Sequence, residues 1–359
     1  ATCVALLTND NLGHELDRGM PHDKVRQEPA GRQPALLAMR SRWFLLRDPP
    51  AHTRLRGLVQ GAFSPRMIDR LRPRIQSATD QLIDLAEQKG EMDVVEDLAA
   101  PLPVMVIAAM LGVPEDDRHL VRRWSRDLVD TLELTDSQEV LDRGNAATEE
   151  FTAYLRELAR ARRGRPREDL MSALVHAEDR GDALTEEELT STCILLLAAG
   201  HETSTNFIGN GLLALLRHPD QLEALKARPE LGRSAIEELL RYDSPVQTTF
   251  RTVLREMEFE GRRLQRGASV AFMLGSANRD PAIFDDPHAL DIVRDPNPHL
   301  SFSYGIHYCL GAPLARLEGQ IAIQTLLRRA PHLTLLDDTP TFHDTWASRG
   351  LVALPVRLG

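Results

Sequence analysis

Cys309 closes the run Phe302-Ser303-Tyr304-Gly305-Ile306-His307-Tyr308-Cys309-Leu310-Gly311, just before a stretch whose apolar residues recur at helical spacing. Gly305 and Gly311 permit a tight backbone approach. A helix beginning right after the cysteine stabilises negative charge there, which predicts a lowered thiol pKa. A thiolate offered in this way serves as a nucleophile or a metal ligand, and its neighbours favour iron. The ordinary alternative is a buried structural cysteine beside a turn. Zinc is disfavoured: a structural site needs four ligands, and Cys3 and Cys193 stand in no paired Cys/His spacing, although His307 lies two residues from Cys309. A cysteine hydrolase would need one of the twelve histidines as base, and no spacing singles one out.

A second constellation is Ala198-Ala199-Gly200-His201-Glu202-Thr203-Ser204-Thr205. An acid beside an alcohol in mid-helix is costly in an interior unless both are hydrogen-bonded. A threonine can bond back to the carbonyl one turn earlier, and the small Ala-Gly pair opens the helix groove. Such a notch holds water or O₂; the alternative is a helix-packing notch with a solvated Glu. Glu238-Leu239-Leu240-Arg241 sets opposite charges three apart on one helical face. By default that is a surface ion pair of little worth.

Helices must position these groups. Residues 64–90 start Ser-Pro, carry Met67, Ile68, Leu71, Ile75, Leu82, Ile83 and Leu85, and stop at glycine. Residues 97–111 read as a buried helix ending at Gly112, and Pro114 opens another towards Leu132. Residues 137–163 read as a charged surface helix with Phe151, Tyr154, Leu155 and Leu158 on one face. The basic connector 162–167 reads as a solvated loop. The segment 185–217 opens on a capping box, Thr185-Glu186-Glu187-Glu188, and ends at His218-Pro219. Apolar almost all round, it must cross the interior of a large domain. Residues 229–242 form a further helix. Short strands follow near 251–260 and 269–274, with Gly261 and Gly267 at turns. The helix after the cysteine covers about 312–329, and 332–358 reads as short strands. The expectation is one mainly α domain with small β-sheets over residues 1–359.

Composition fits an ordinary globular protein, with 42% hydrophobic and 27% charged residues. Three scattered cysteines argue against a disulfide framework and fit a reducing cytosol. A formal charge of −10 makes nucleic acid an unsuitable partner, though a local basic patch can still meet an acidic protein. The apolar runs 104–111 and 194–199 are too short to span a bilayer, and no signal peptide is evident. A cytoplasmic protein without a membrane partner is expected.

The run 302–311 resembles the haem-binding signature of the cytochrome P450 superfamily, Phe-x-x-Gly-x-(basic)-x-Cys-x-Gly, at every defined position. Residues 199–203 resemble its oxygen-activation motif, (Ala/Gly)-Gly-x-(Asp/Glu)-Thr, and Glu238 with Arg241 its Glu-x-x-Arg pair. Asp48-Pro49-Pro50-Ala51-His52-Thr53-Arg54-Leu55-Arg56 resembles the early helix whose His and Arg meet a haem propionate. The motifs stand in order along nearly the whole chain. Residues 191–196 and 298–302 are most similar to the soluble bacterial branch with macrolide hydroxylases and a biotin-pathway enzyme acting on carrier-bound acyl chains.

This resemblance implies a haem-thiolate monooxygenase inserting one oxygen atom from O₂ into a lipophilic small molecule, in secondary metabolism such as antibiotic biosynthesis. Its cofactor would be haem b, with Cys309 as proximal ligand. His52, Arg56, Arg251 and His307 would meet the propionates. Ala199, Phe302 and Gly311 would also contact the cofactor, Phe302 shielding the sulfur and amides near Leu310 and Gly311 tuning it. Glu202 and Thr203 would carry protons. Ala198, Ala199, Thr203 and Val246 would touch substrate, with loop 20–46 and strand 246–249 completing the pocket. Electrons would come through a ferredoxin and an NAD(P)H-dependent reductase, with Arg316 on the docking face. The Glu-x-x-Arg pair would lock the fold. The usual first helix and first strands are missing from the pattern, so the first sheet should be smaller and the pocket mouth more open. Two alternatives remain: oxidation of an acyl or aminoacyl group on a carrier protein such as an acyl carrier protein, and a non-catalytic haem protein that binds ligand or senses gas.

Overall fold

A 31-residue helix, Glu186–Leu216, runs through the middle of the molecule and touches most other helices. Both bonds of the capping box at its start form: Glu188 N–H donates to Thr185 Oγ1 (3.2 Å) and Thr185 N–H to Glu188 Oε2 (3.0 Å). Its first half gives Leu189, Cys193, Ile194, Leu195, Leu197 and Ala198 to one hydrophobic cluster. Its second half gives Phe207, Leu212, Leu213 and Leu215 to another. The computed structural model describes residues 2–15, 33–63, 65–131, 137–179 and 182–359.

Against this axis pack helices Pro101–Leu111, Arg118–Val129, Gln138–Gly164 and Gly232–Tyr242, while Pro65–Glu87 packs on Pro101–Leu111 and on the helix after the cysteine. Gln138–Gly164 buries Phe151, Leu155 and Leu158 and leaves most of its charged side chains outward, but Arg162, expected in a solvated connector, lies within the helix and is buried against Asp169 (2.6 Å). The expected helix over 97–111 is in two parts, a π-helical turn Val94–Ala99 and then Pro101–Leu111, because Pro101 cannot continue the backbone ladder. Together Val94–Leu111 is long and apolar enough to cross a membrane by composition, and 72% of it is buried inside the protein. That burial marks an interior helix.

The helix after the cysteine is Ala312–Arg329, matching its sequence pattern. It lies hard against the central helix because Gly319 has no side chain; a Cβ there would collide with the Phe207 ring. The sheets are small and antiparallel. Strand Thr248–Val253 lies between Leu12–Gly13 and Ser269–Met273, with Gly13 opposite Thr252 and Arg251 opposite Val270. Strand Pro355–Arg357 lies between Glu91–Asp93 and Thr334–Leu335. A small cluster of Leu6, Leu12, Val253, Phe272 and Leu300 joins the first sheet to the approach of the cysteine loop. Of the expected loop 20–46, the described part holds a helix, Pro34–Arg40, and a 3₁₀ turn, Phe44–Leu46, and residues 20–32 lie outside the described residues.

Candidate active site

The cysteine loop is built from a short 3₁₀ turn, Gly305–His307, entered through Gly305 at φ +77°. Cys309 N–H donates to the Phe302 carbonyl (3.0 Å), which folds the loop back on itself. Gly311 stands where a Cβ would come within 3.9 Å of the Cys309 sulfur. The amides reaching the thiol are those of Gly311, as expected, and Ala312 in place of Leu310. Burial pushes the thiol up, outweighing those amides and the guanidiniums of Arg56 and Arg316. The lowered pKa expected from the helix start is thus reversed in the protein alone: helix and cations pull in the anticipated direction, and desolvation is larger. A coordinated metal ion changes that sign, because a ligating thiol is deprotonated outright.

Phe302 is buried under the loop, with the Arg316 guanidinium 4.5 Å from its ring centroid. Arg316 also grips Glu237 through Nε (2.6 Å) and Nη2 (2.8 Å). Burial works against the Glu237 carboxylate, yet bonds from His299 and Arg316 hold its pKa down at about 2. Arg316 therefore braces the loop through Glu237 while its side chain stays partly exposed.

Five basic side chains converge beside the loop. His52 and Arg56 come from helix Ala51–Ala62, Arg251 from strand Thr248–Val253, His307 from the 3₁₀ turn, and His14 from just after strand Leu12–Gly13. The His307 ring lies 4.5 Å from His52 and 4.8 Å, edge-on, from His14. Desolvation first, then neighbouring cations, lower the imidazoles to about 4 at His14 and His52 and about 2 at His307. Burial also lowers Arg251 and Arg56; Asp48 opposes this at Arg251 and Cys309 at Arg56. Arg56 Nη2 donates to the Tyr308 carbonyl (2.6 Å), tying its helix to the cysteine loop.

On the central helix Thr203 Oγ1 donates back to the Ala199 carbonyl (2.7 Å), as the sequence predicts. Ala199 is exposed in mid-helix, while Ala198 is buried in the core. Gly200 faces Ile107, whose Cδ1 a Cβ there would press upon. His201 is hydrogen-bonded through Nδ1 to Ser125 Oγ (2.7 Å), and desolvation holds it neutral with a pKa of about 4. Glu202 Oε1 accepts from Ser348 Oγ (3.2 Å), and Val246 bridges Ser348 in the backbone ladder. The C-terminal loop thus brings Val246 and Glu202 to one wall.

The cytochrome P450 family profile matches residues 23–357. The chain belongs to the cytochrome P450 family. The biotin biosynthesis cytochrome P450 of Bacillus subtilis (strain 168) is 44% identical over 318 residues, which is 89% of this chain and 80% of that one. The 6-deoxyerythronolide B hydroxylase of Saccharopolyspora erythraea is 42% identical over 314 residues, 87% of this chain and 76% of the relative. Among solved structures, P450BioI in complex with hexadec-9Z-enoic acid ligated acyl carrier protein superposes with a TM-score of 0.90 at 41% identity, covering 99% of this chain and 90% of that one. The P450 is a monooxygenase, and its cofactor is haem on a cysteine thiolate.

The residues present fit that cofactor. His52 Nδ1 and Nε2, His307 Nε2 and His14 Nε2 are buried without a hydrogen-bond partner, although His52 lies near the Ile306 carbonyl. Each such atom costs about 1–3 kcal/mol, a penalty that an anionic ligand with two carboxylates relieves. Two features of this P450 were not legible beforehand. His14 belongs to no motif; only the register that sets Gly13 opposite Thr252 brings it level with Arg251. Ser348 lies 146 residues from Glu202 and is joined to it only by folding.

Proposed function

We propose that Cys309 is the thiolate of this monooxygenase, with His52, Arg56, Arg251 and His307 receiving the haem carboxylates. The observation that carries this reading is the set of buried, unpartnered imidazole nitrogens on and beside the cysteine loop. Haem, when bound, supplies the iron centre at which O₂ is activated and one oxygen atom is passed to substrate. Phe302 and the Gly311 and Ala312 amides shield and tune the sulfur. Thr203, pinned to Ala199, and Glu202, held by Ser348, carry protons towards the distal side. Exposed Ala199 and half-buried Val246 supply apolar surface for a lipophilic substrate.

The reduced, CO-bound protein is expected to show the red-shifted band of thiolate-ligated haem. Folded protein lacking that band would overturn the reading. Thr203→Ala is expected to lower product formed per NAD(P)H by roughly ten-fold while electron consumption continues, since proton delivery by a positioned group is worth at least that much. The assay uses a surrogate ferredoxin and reductase with a compound that shifts the ferric spectrum to high spin. Coupled turnover at the wild-type level would remove Thr203 from the proton path.

A second substrate reading has its own support. The match to a P450 solved with an acyl-carrier-protein ligand spans 99% of this chain, so a carrier-bound acyl group is the alternative to a free lipophilic scaffold. A spin-state shift with a loaded carrier, and none with the free acid, selects it. We assign electron delivery to a ferredoxin with an NAD(P)H-dependent reductase, and the cytoplasm as the compartment.

A further inference from the structure

We propose that His14 is a further cofactor-holding residue of this P450: its Nε2–H donates to a haem carboxylate alongside His307 and Arg251. The proposal rests on the reading that haem sits at Cys309. His14 Nε2 is buried and has no partner in the protein, and its ring meets His307 edge-on at 4.8 Å. A histidine kept only for packing would bring its second nitrogen to a carbonyl or hydroxyl, because an unmade bond there is costly. Among the described residues no group of three His, Cys, Asp or Glu is arranged to hold a metal ion, so the three imidazoles do not form a cation site.

The backbone around His14 is built to hold the ring in place. The His14 and Glu15 amides donate to Asp48 Oδ2 at 2.9 and 2.8 Å, and Glu15 Oε2 accepts from the Asp48 amide at 2.7 Å. Asp48 is buried at the start of the segment that continues into the helix bearing His52 and Arg56. Gly13 makes this approach possible, since a Cβ there would meet the Asp48 carboxylate. On its other side strand Leu12–Gly13 is paired to the strand carrying Arg251. The clamp fixes His14 relative to three of the other four donors. A flexible surface histidine would need no such fastening.

The test uses the purified holoprotein and follows haem transfer to excess apomyoglobin. His14→Phe keeps the ring volume and removes the donor; His14→Gln restores a donor. We expect His14→Phe to lose haem roughly ten-fold faster or more and to shift the propionate bending band in resonance Raman spectra, with His14→Gln close to wild type. All three should keep the thiolate CO band. A wild-type rate with an unmoved propionate band in His14→Phe overturns the proposal, as does equally fast loss from both variants. Should His14→Phe fail to fold, wild-type protein decides: its CO complex should show NOEs between His14 ring protons and the propionate methylenes, and their absence overturns the assignment. If wild-type protein itself lacks the thiolate band, the parent reading of Cys309 fails instead.

Discussion

Arg241→Ala is expected to destabilise the protein by about 3–5 kcal/mol and to abolish haem retention. The Arg241 side chain is completely buried and makes five hydrogen bonds. Two go to the Glu238 carboxylate, at 2.7 and 2.8 Å, and the others to the carbonyls of Asn278, Pro287 and Ala289. Removing the guanidinium takes a donor from all three carbonyls, of which Ala289 keeps a long bond from Arg294 (3.5 Å), and leaves a buried carboxylate supported by Arg294 (3.2 Å), the Asp291 amide (2.9 Å) and Asn297 (3.2 Å). Those carbonyls belong to the segment leading towards the cysteine loop. Ser301 Oγ donates to the Leu240 carbonyl (2.7 Å), so the loop's entry is fastened to the same helix. The loss is large against a total stability of about 5–15 kcal/mol. Arg241→Lys should recover little, because one ammonium cannot form the paired bonds. Urea unfolding followed by circular dichroism, with haem absorbance in parallel, measures both effects. A wild-type midpoint in Arg241→Ala would sink the account.

Glu318→Gln is expected to do the opposite: it should stabilise the protein, and increasingly so as pH rises. Glu318 is buried on the helix after the cysteine, its Oε1 has no partner, and Ser204 is the polar side chain facing it. Desolvation pushes its pKa from 4.5 to about 8, against a small opposing effect of Ser204. The folded value lies above the unfolded one, so the folded state binds the proton more tightly. Stability from this group is fully present below about pH 4.5 and is lost as pH rises through about 8. Glutamine does not titrate. The two proteins should therefore be nearly alike at pH 4 and differ by on the order of 4 kcal/mol near pH 8. Denaturant midpoints of both at pH 4, 6 and 8 give the comparison. A difference that does not change across that range would mean that Glu318 stays ionised in the fold.

The same two residues show where sequence reading stops. Glu238-x-x-Arg241 is visible as an i, i+3 pair, and at that level a weak surface ion pair is the sound default. Folding reverses its importance by burying both groups completely. Glu318 lies among helix-forming residues with no motif of chemistry about it; only its place between two packed helices makes its proton matter. Arg316 carries no motif that foretells its internal partners; folding sets it against Glu237 and the Phe302 ring.

What the chain declares by itself is local. Residues within about one helical turn or one loop of each other carry their chemistry in their spacing. The Phe302–Gly311 run, the Ala199–Thr203 notch and the Thr185 capping box could therefore be read directly, and with them the family, the cofactor and the reaction class. Tertiary structure decided everything that depends on burial or on distant partners. It set the sign of the Cys309 pKa, through desolvation that no motif encodes. It set Ser348 against Glu202, and it brought His14 to Arg251 through the pairing of two strands far apart in sequence. Spacing fixes which groups are neighbours along the backbone; only packing fixes which are neighbours in a low-dielectric interior, and there each charge or unmet hydrogen bond has its largest effect.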